Sequence, residues 1–186
     1  MTDQVSLQKS LPEDILAFRQ SLDLESDRGC VLFAASFIDE ALATLLKASL
    51  VSDNKIDQAL FNGTAPLATF SSRISMSFYL GKLPAACRQD LEIVRRIRNE
   101  FAHRADSISF SDPAIADRCN ALCFSLRNKN ASPRAHFTSA IFALLALIHE
   151  ATLDSLAPSP PKIELPDLQL KAKIEGIVSE SNQSNK

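Results

Sequence analysis

The chain has 186 residues, of which 46% are hydrophobic and 23% charged, with 20 basic against 22 acidic side chains and a net charge of −2. That length fits one domain, the apolar fraction excludes wholesale disorder, and the near-zero charge argues against a broadly basic nucleic-acid binder. Only four glycines are present, too few for the Gly-dependent turns of hairpin-rich sheets, Rossmann folds and P-loops.

The N-terminus, MTDQVSLQKSLPEDIL, has no apolar run behind a basic start, so no secretory signal is expected. Pro12 opens a predicted helix, PEDILAFRQSL, with Glu13 and Asp14 in the first turn, where the helix dipole favours acids. A longer helix is predicted from about Ser26 to Val51. Ser26 is its cap, and Leu32, Ala35, Ile38, Leu42, Leu45 and Leu46 form one broad apolar face. A short helix, NKIDQALF, follows, then a loop from Asn62 to Pro66. From about Leu67 to Leu80 the spacing predicts another helix, with Phe70, Ile74 and Phe78 as an i, i+4 stripe. Gly81 and Pro84 end it and restart the chain. The next helix, about Pro84 to His103 or Arg104, carries the stripe Cys87, Leu91, Val94, Ile97 and Phe101.

A segment beginning near Asp112 and Pro113, DPAIADRCNALCFSL, is read as helical. The last strong helix starts at Ser132, a cap placed before Pro133, and runs to about Leu156. Its most apolar stretch, Ala140 to Ile148, is nine residues long. A membrane span needs roughly 20, so this is read as a core helix and no membrane association is expected. Pro158, Pro160, Pro161 and Pro166 prevent continuation. The expectation is an all-α, single-domain bundle of about six or seven helices over residues 1–157. A flexible, Pro-rich then polar tail over 158–186 follows, largely disordered apart from a helical turn or two between Leu168 and Val178.

Cys30, Cys87, Cys119 and Cys123 lie inside helical patterns and are read as reduced core thiols of a cytoplasmic protein. Cys119 and Cys123, one helical turn apart, lack the two further ligands that a metal site needs, so no metal and no cofactor is expected. Gly-x-Ser-x-Gly, Walker-type and His-Glu-x-x-His motifs are absent.

Chemistry concentrates between Arg95 and Arg104, where four Arg and one Glu give a local charge of +3. Arg95, Asn99 and Ala102 share a helix face, while Arg98 and His103 flank the helix end. This grouping suits a phosphodiester. Arg98 would hold phosphate through its planar fork, Asn99 would donate to phosphate or orient the imidazole, and His103 would transfer a proton. A two-fold dimer would supply the second His103 that separate acid and base roles require. The bland alternative is a dipole-stabilised His103 and solvated ion pairs, with Glu92 facing Arg96. Asp27, Arg28 and Arg73 either form a pocket rim beside Arg98 or tie helices together. The structural reading is preferred, with Asp27 or Glu25 orienting Arg98 or Arg73.

Arg98-Asn99-Glu100-Phe101-Ala102-His103 resembles the motif of the HEPN superfamily, which implies an all-α bundle and, in nuclease members, a metal-independent RNA-cleaving site at a dimer interface. A longer resemblance runs over roughly residues 20–156. It comprises Glu25-Ser26-Asp27-Arg28-Gly29-Cys30, Phe37-Ile38-Asp39-Glu40-Ala41-Leu42, Pro66 to Ile74, and Arg96 to His103. This ordered succession is similar to the mannitol operon repressor (MltR) family. It implies a helical negative regulator of mannitol or sugar-alcohol genes without a helix-turn-helix, working through protein partners rather than by reading DNA. The expected assembly is a homodimer with a protein or RNA partner. The competing expectation is an endoribonuclease built on Arg98, Asn99 and His103, with Asp27, Arg28, Arg73 and Arg95 in support. A third is an accessory protein that binds RNA or nucleotides without cutting.

Overall fold

The computed structural model describes residues 18–105 and 107–159. Among them are seven helical segments and no strand. Helix α1 covers 18–24 of the described chain. It is followed by α2 (Asp27–Ser49), α3 (Asn54–Phe61), α4 (Phe70–Tyr79), α5 (Ala85–His103), α6 (Pro113–Asn120) and α7 (Pro133–Leu153). The predicted helical start from Pro12 to Ala17 and the predicted tail from 160 onward lie outside the described residues.

Most helix starts are set by short polar side chains that satisfy free N–H groups of the first turn. Ser26 Oγ accepts from Gly29 N at 3.1 Å, and Asp53 Oδ1 accepts from Lys55 N and Ile56 N at 2.9 and 3.1 Å. Ser132 Oγ accepts from Ala135 N at 3.2 Å, with Pro133 in the first turn of α7. Gly81, at φ +68°, takes the left-handed conformation that closes α4. Its N–H donates to Phe78 O at 2.9 Å.

Helix α2 is the axis of the bundle. It packs on α7, α5 and α4, while α6 lies on α7 and α4 on α5. Ile38, Leu42 and Leu45 of α2 meet the full α5 stripe of Cys87, Leu91, Val94, Ile97 and Phe101, and Phe137, Ile141, Leu144 and Ile148 of α7. Burying each such large side chain stabilises the fold by about 1.5–3 kcal/mol. A smaller cluster of Ala43, Leu46, Phe61 and Leu67 fastens α3 to the back of α2. By length and composition alone α2 and α7 would qualify as membrane spans. In this fold they pack against one another in the core instead.

Three expectations are corrected. Helix α4 begins at Phe70 because Thr69 caps it. Thr69 Oγ1 accepts from Ser72 N at 3.1 Å, and Ser72 Oγ accepts from Thr69 N at 3.3 Å. Phe78 does not join a buried stripe. It is 38% exposed, with the Arg88 guanidinium 4.9 Å from its ring centroid, and Ser77 takes the buried position. Helix α6 ends at Asn120, and 121–131 is irregular. Cys123 is therefore not a helical core thiol but an exposed one, whereas Cys30, Cys87 and Cys119 are buried.

The physical reason for the early end of α6 is Asp90. This α5 carboxylate is wholly buried, and it accepts from Cys123 N at 3.0 Å and Phe124 N at 2.9 Å. Two backbone donors captured by a charged acceptor outweigh one more helical turn.

Candidate functional site

The last turns of α5 carry the basic run. Arg95 is half-buried and pairs with Glu92. Its Nε donates to Glu92 Oε2 at 2.9 Å, with Nη2 also at 2.9 Å. Glu92 thus pairs at i, i+3 with Arg95 and not with Arg96. Glu100 turns the other way, to Arg118 of α6 at 3.5 Å. Arg98 is exposed and donates through Nη1 to Asn99 Oδ1 at 3.1 Å. His103 is exposed in the final turn of α5. Among the described residues no side chain is hydrogen-bonded to its ring.

The supporting residues divide into two clusters. Arg73 of α4 is the nearly buried one. It forms an ion pair with Asp39 of α2 at 3.0 Å, and its Nε donates to Leu67 O at 2.9 Å. Burial pushes the Asp39 carboxyl up from its ordinary value, and the charge and hydrogen bond of Arg73 oppose that rise. Arg98 adds a weaker opposing charge.

Asp27 and Arg28 form the second cluster at the start of α2. Arg28 Nη2 donates to Arg104 O at 2.9 Å, tying α2 to the end of α5 beside His103. Asp27 does not orient Arg98 or Arg73. Its Oδ1 pairs with Arg134 Nη1 at 2.7 Å, and its Oδ2 accepts from Phe110 N at 3.0 Å. Arg134 Nη2 also donates to Leu22 O at 2.8 Å and Glu25 O at 2.7 Å.

Three residues of this framework escaped the reading of the sequence. Asp90 was discoverable, because three residues beyond Cys87 and four before Val94 it falls on the buried face of α5. Arg134 carries a subtler signal, a cation in the first turn of a helix, where the dipole opposes it unless a carboxylate is near. His136 is buried with Nδ1 2.8 Å from Ser125 Oγ, and nothing local in the sequence marks it. No group of three or more His, Cys, Asp or Glu side chains among the described residues is placed to hold a metal ion.

The mannitol repressor family matches residues 20–146, over two thirds of the chain. The chain belongs to that family. The match begins in α1 and ends inside α7, so it takes in both clusters and the whole α5 motif of this mannitol repressor family member. A chain in the X-ray structure of the MtlR–HPr complex from Escherichia coli has a similar fold, with a TM-score of 0.57 and 18% identity. The similarity covers 73% of this chain and 99% of that one. None of the curated proteins searched matches the chain.

Proposed function

We propose that this mannitol repressor family member is a cytoplasmic negative regulator of mannitol or sugar-alcohol genes that acts by binding a protein partner, HPr first among the candidates. One observation carries this reading. The family match spans the helical bundle, and that bundle resembles a chain of the MtlR–HPr complex. The ion pairs add support: Arg73, Arg95, Arg118 and Arg134 are all engaged by carboxylates of the same chain. Basic side chains committed in this way are poorly suited to tracking a phosphate backbone. We further expect a homodimer, which sedimentation would reveal.

Calorimetric titration of the purified full chain with HPr from its own organism tests the proposal, with saturable binding expected. Gel shifts on the operator region should show no sequence-specific complex at physiological salt. Tight operator binding by the protein alone would overturn the partner-based mechanism.

A second reading draws on the solvent-facing Arg98 and His103, with Arg98 bonded to Asn99. In this reading the three residues cleave RNA without metal, in a composite dimer site, leaving a 2′,3′-cyclic phosphate. Cleavage that is lost in both Arg98→Ala and His103→Ala supports it. Cleavage that survives both, or no turnover, rejects it.

A further inference from the structure

A cleft of about 670 Å3 opens between α1 and α7, overhung by the 121–131 loop. Ligand pockets commonly span roughly 300–1,000 Å3. Its floor is a trough in α7: Ser139, Ala143 and Ala146 follow at spacings of four and three, so three small side chains share one face beside Phe142.

Its two lips are cationic. Arg19 projects from α1 and Arg127 from the loop, both exposed. Among the described residues, neither guanidinium has an ion-pair or hydrogen-bond partner. Arg134 also reaches the cleft, with its charge already shared with Asp27. Asp23 adds one carboxylate to the lining, so the lining charge stays positive. The first turn of α7, entered at Ser132, adds the positive end of a 21-residue helix.

The loop lip is built in advance. The wholly buried Asp90 holds Cys123 N and Phe124 N, the buried His136 holds Ser125 Oγ, and Leu126 N donates to Ser139 Oγ at 3.0 Å. Arg127 therefore stands over the trough on a loop fixed at four successive residues, and little ordering cost remains for a ligand to meet.

We infer that this cleft binds a small organic anion, a carboxylate or phosphate monoester on a compact apolar body. The anionic head sits between Arg19 and Arg127, where planar guanidinium groups suit oxyanions. The apolar body lies on Phe142, Ala143 and Ala146. The site is separate from the α5 motif and does not depend on the protein-partner reading.

The test uses the full chain alone, with phenyl phosphate and 3-phenylpropionate as probes in calorimetry and ligand-observed NMR. Inorganic phosphate and benzyl alcohol serve as head and body controls. Both probes should bind saturably at millimolar concentration, compete with each other, and weaken with added salt. Arg19→Ala and Arg127→Ala should each weaken binding roughly twofold to fivefold. The double Arg19→Glu/Arg127→Glu variant should abolish it, with unchanged circular dichroism. Ala143→Trp, which fills the trough, should also abolish it, and Lys55→Glu on α3 should leave it unchanged. Absence of saturable binding, binding that survives the double reversal, or equal affinity for inorganic phosphate would each overturn the inference. So would binding confined to an acidic hexapeptide, which would mark a peptide groove.

Discussion

Asp90 shows how one side chain decides a local structure. Its carboxylate is wholly buried, yet both oxygens are occupied by backbone N–H groups of a loop that would otherwise extend α6. Asp90→Ala would leave two buried donors without an acceptor, so urea unfolding should show a loss of about 2–4 kcal/mol. Hydrogen exchange should quicken first at Cys123 and Phe124. A loss below about 0.5 kcal/mol, the usual range for an incidental surface change, would show that the loop holds its own shape.

The thiols give a second residue-scale expectation. Burial pushes Cys30 up to about 11 and both Cys87 and Cys119 up to about 12. Only the exposed Cys123 should react quickly with Ellman's reagent in the native protein, and all four thiols should react after unfolding. The sign of the pH effect follows. Above the ordinary value of 9.0 the unfolded chain loses these protons while the native state keeps them. Stability should therefore decline as pH climbs from 9.0 towards 12, and thermal melts across alkaline pH would register it.

Helix boundaries turn on what competes with helical periodicity. The capping box of Thr69 and Ser72 starts α4, so Thr69→Ala should lower stability by about 1 kcal/mol in urea titration. That start was hidden in the sequence because Leu67 and Ala68 continue the apolar pattern, while Leu67 in fact joins the α3 cluster. By contrast, Ser26 and the Ser132–Pro133 pair were legible, since a cap residue sat directly before an unbroken periodic run. The α5 stripe was legible throughout, each member being fully buried. Helix α6 was read too long because its terminator, Asp90, stands 33 residues earlier than Cys123. The same distance effect governs the candidate site. The Arg98 to His103 motif is contiguous and was visible. The partner of Asp27 is Arg134, 107 residues away, and no spacing rule reaches that far.

At the scale of the molecule, Arg134 and Asp27 join the first described helices to the last. One guanidinium serves Asp27, Leu22 O and Glu25 O, and the same carboxylate holds the 110 backbone. Both side chains are only partly screened from water, which tempers the strength of the pair. A double-mutant cycle on Asp27→Ala and Arg134→Ala should nonetheless give a coupling of about 1–3 kcal/mol, because the pair sits in a shared hydrogen-bond network. Additive losses would mean that the two residues act independently.

The pairing of α2 with α7 has a consequence for how the protein is made. Ribosomal synthesis delivers Ile38, Leu42 and Leu45 long before Phe137, Ile141 and Leu144, the residues that share their core. At about 5–20 residues per second, the 99 residues that separate Ile38 from Phe137 correspond to roughly 5–20 s of elongation. Throughout that interval the most apolar face of the nascent chain has no α7 to cover it. The newborn N-terminal half is thus a natural client for a holding chaperone, and the α2–α7 core closes only once α7 has left the exit tunnel.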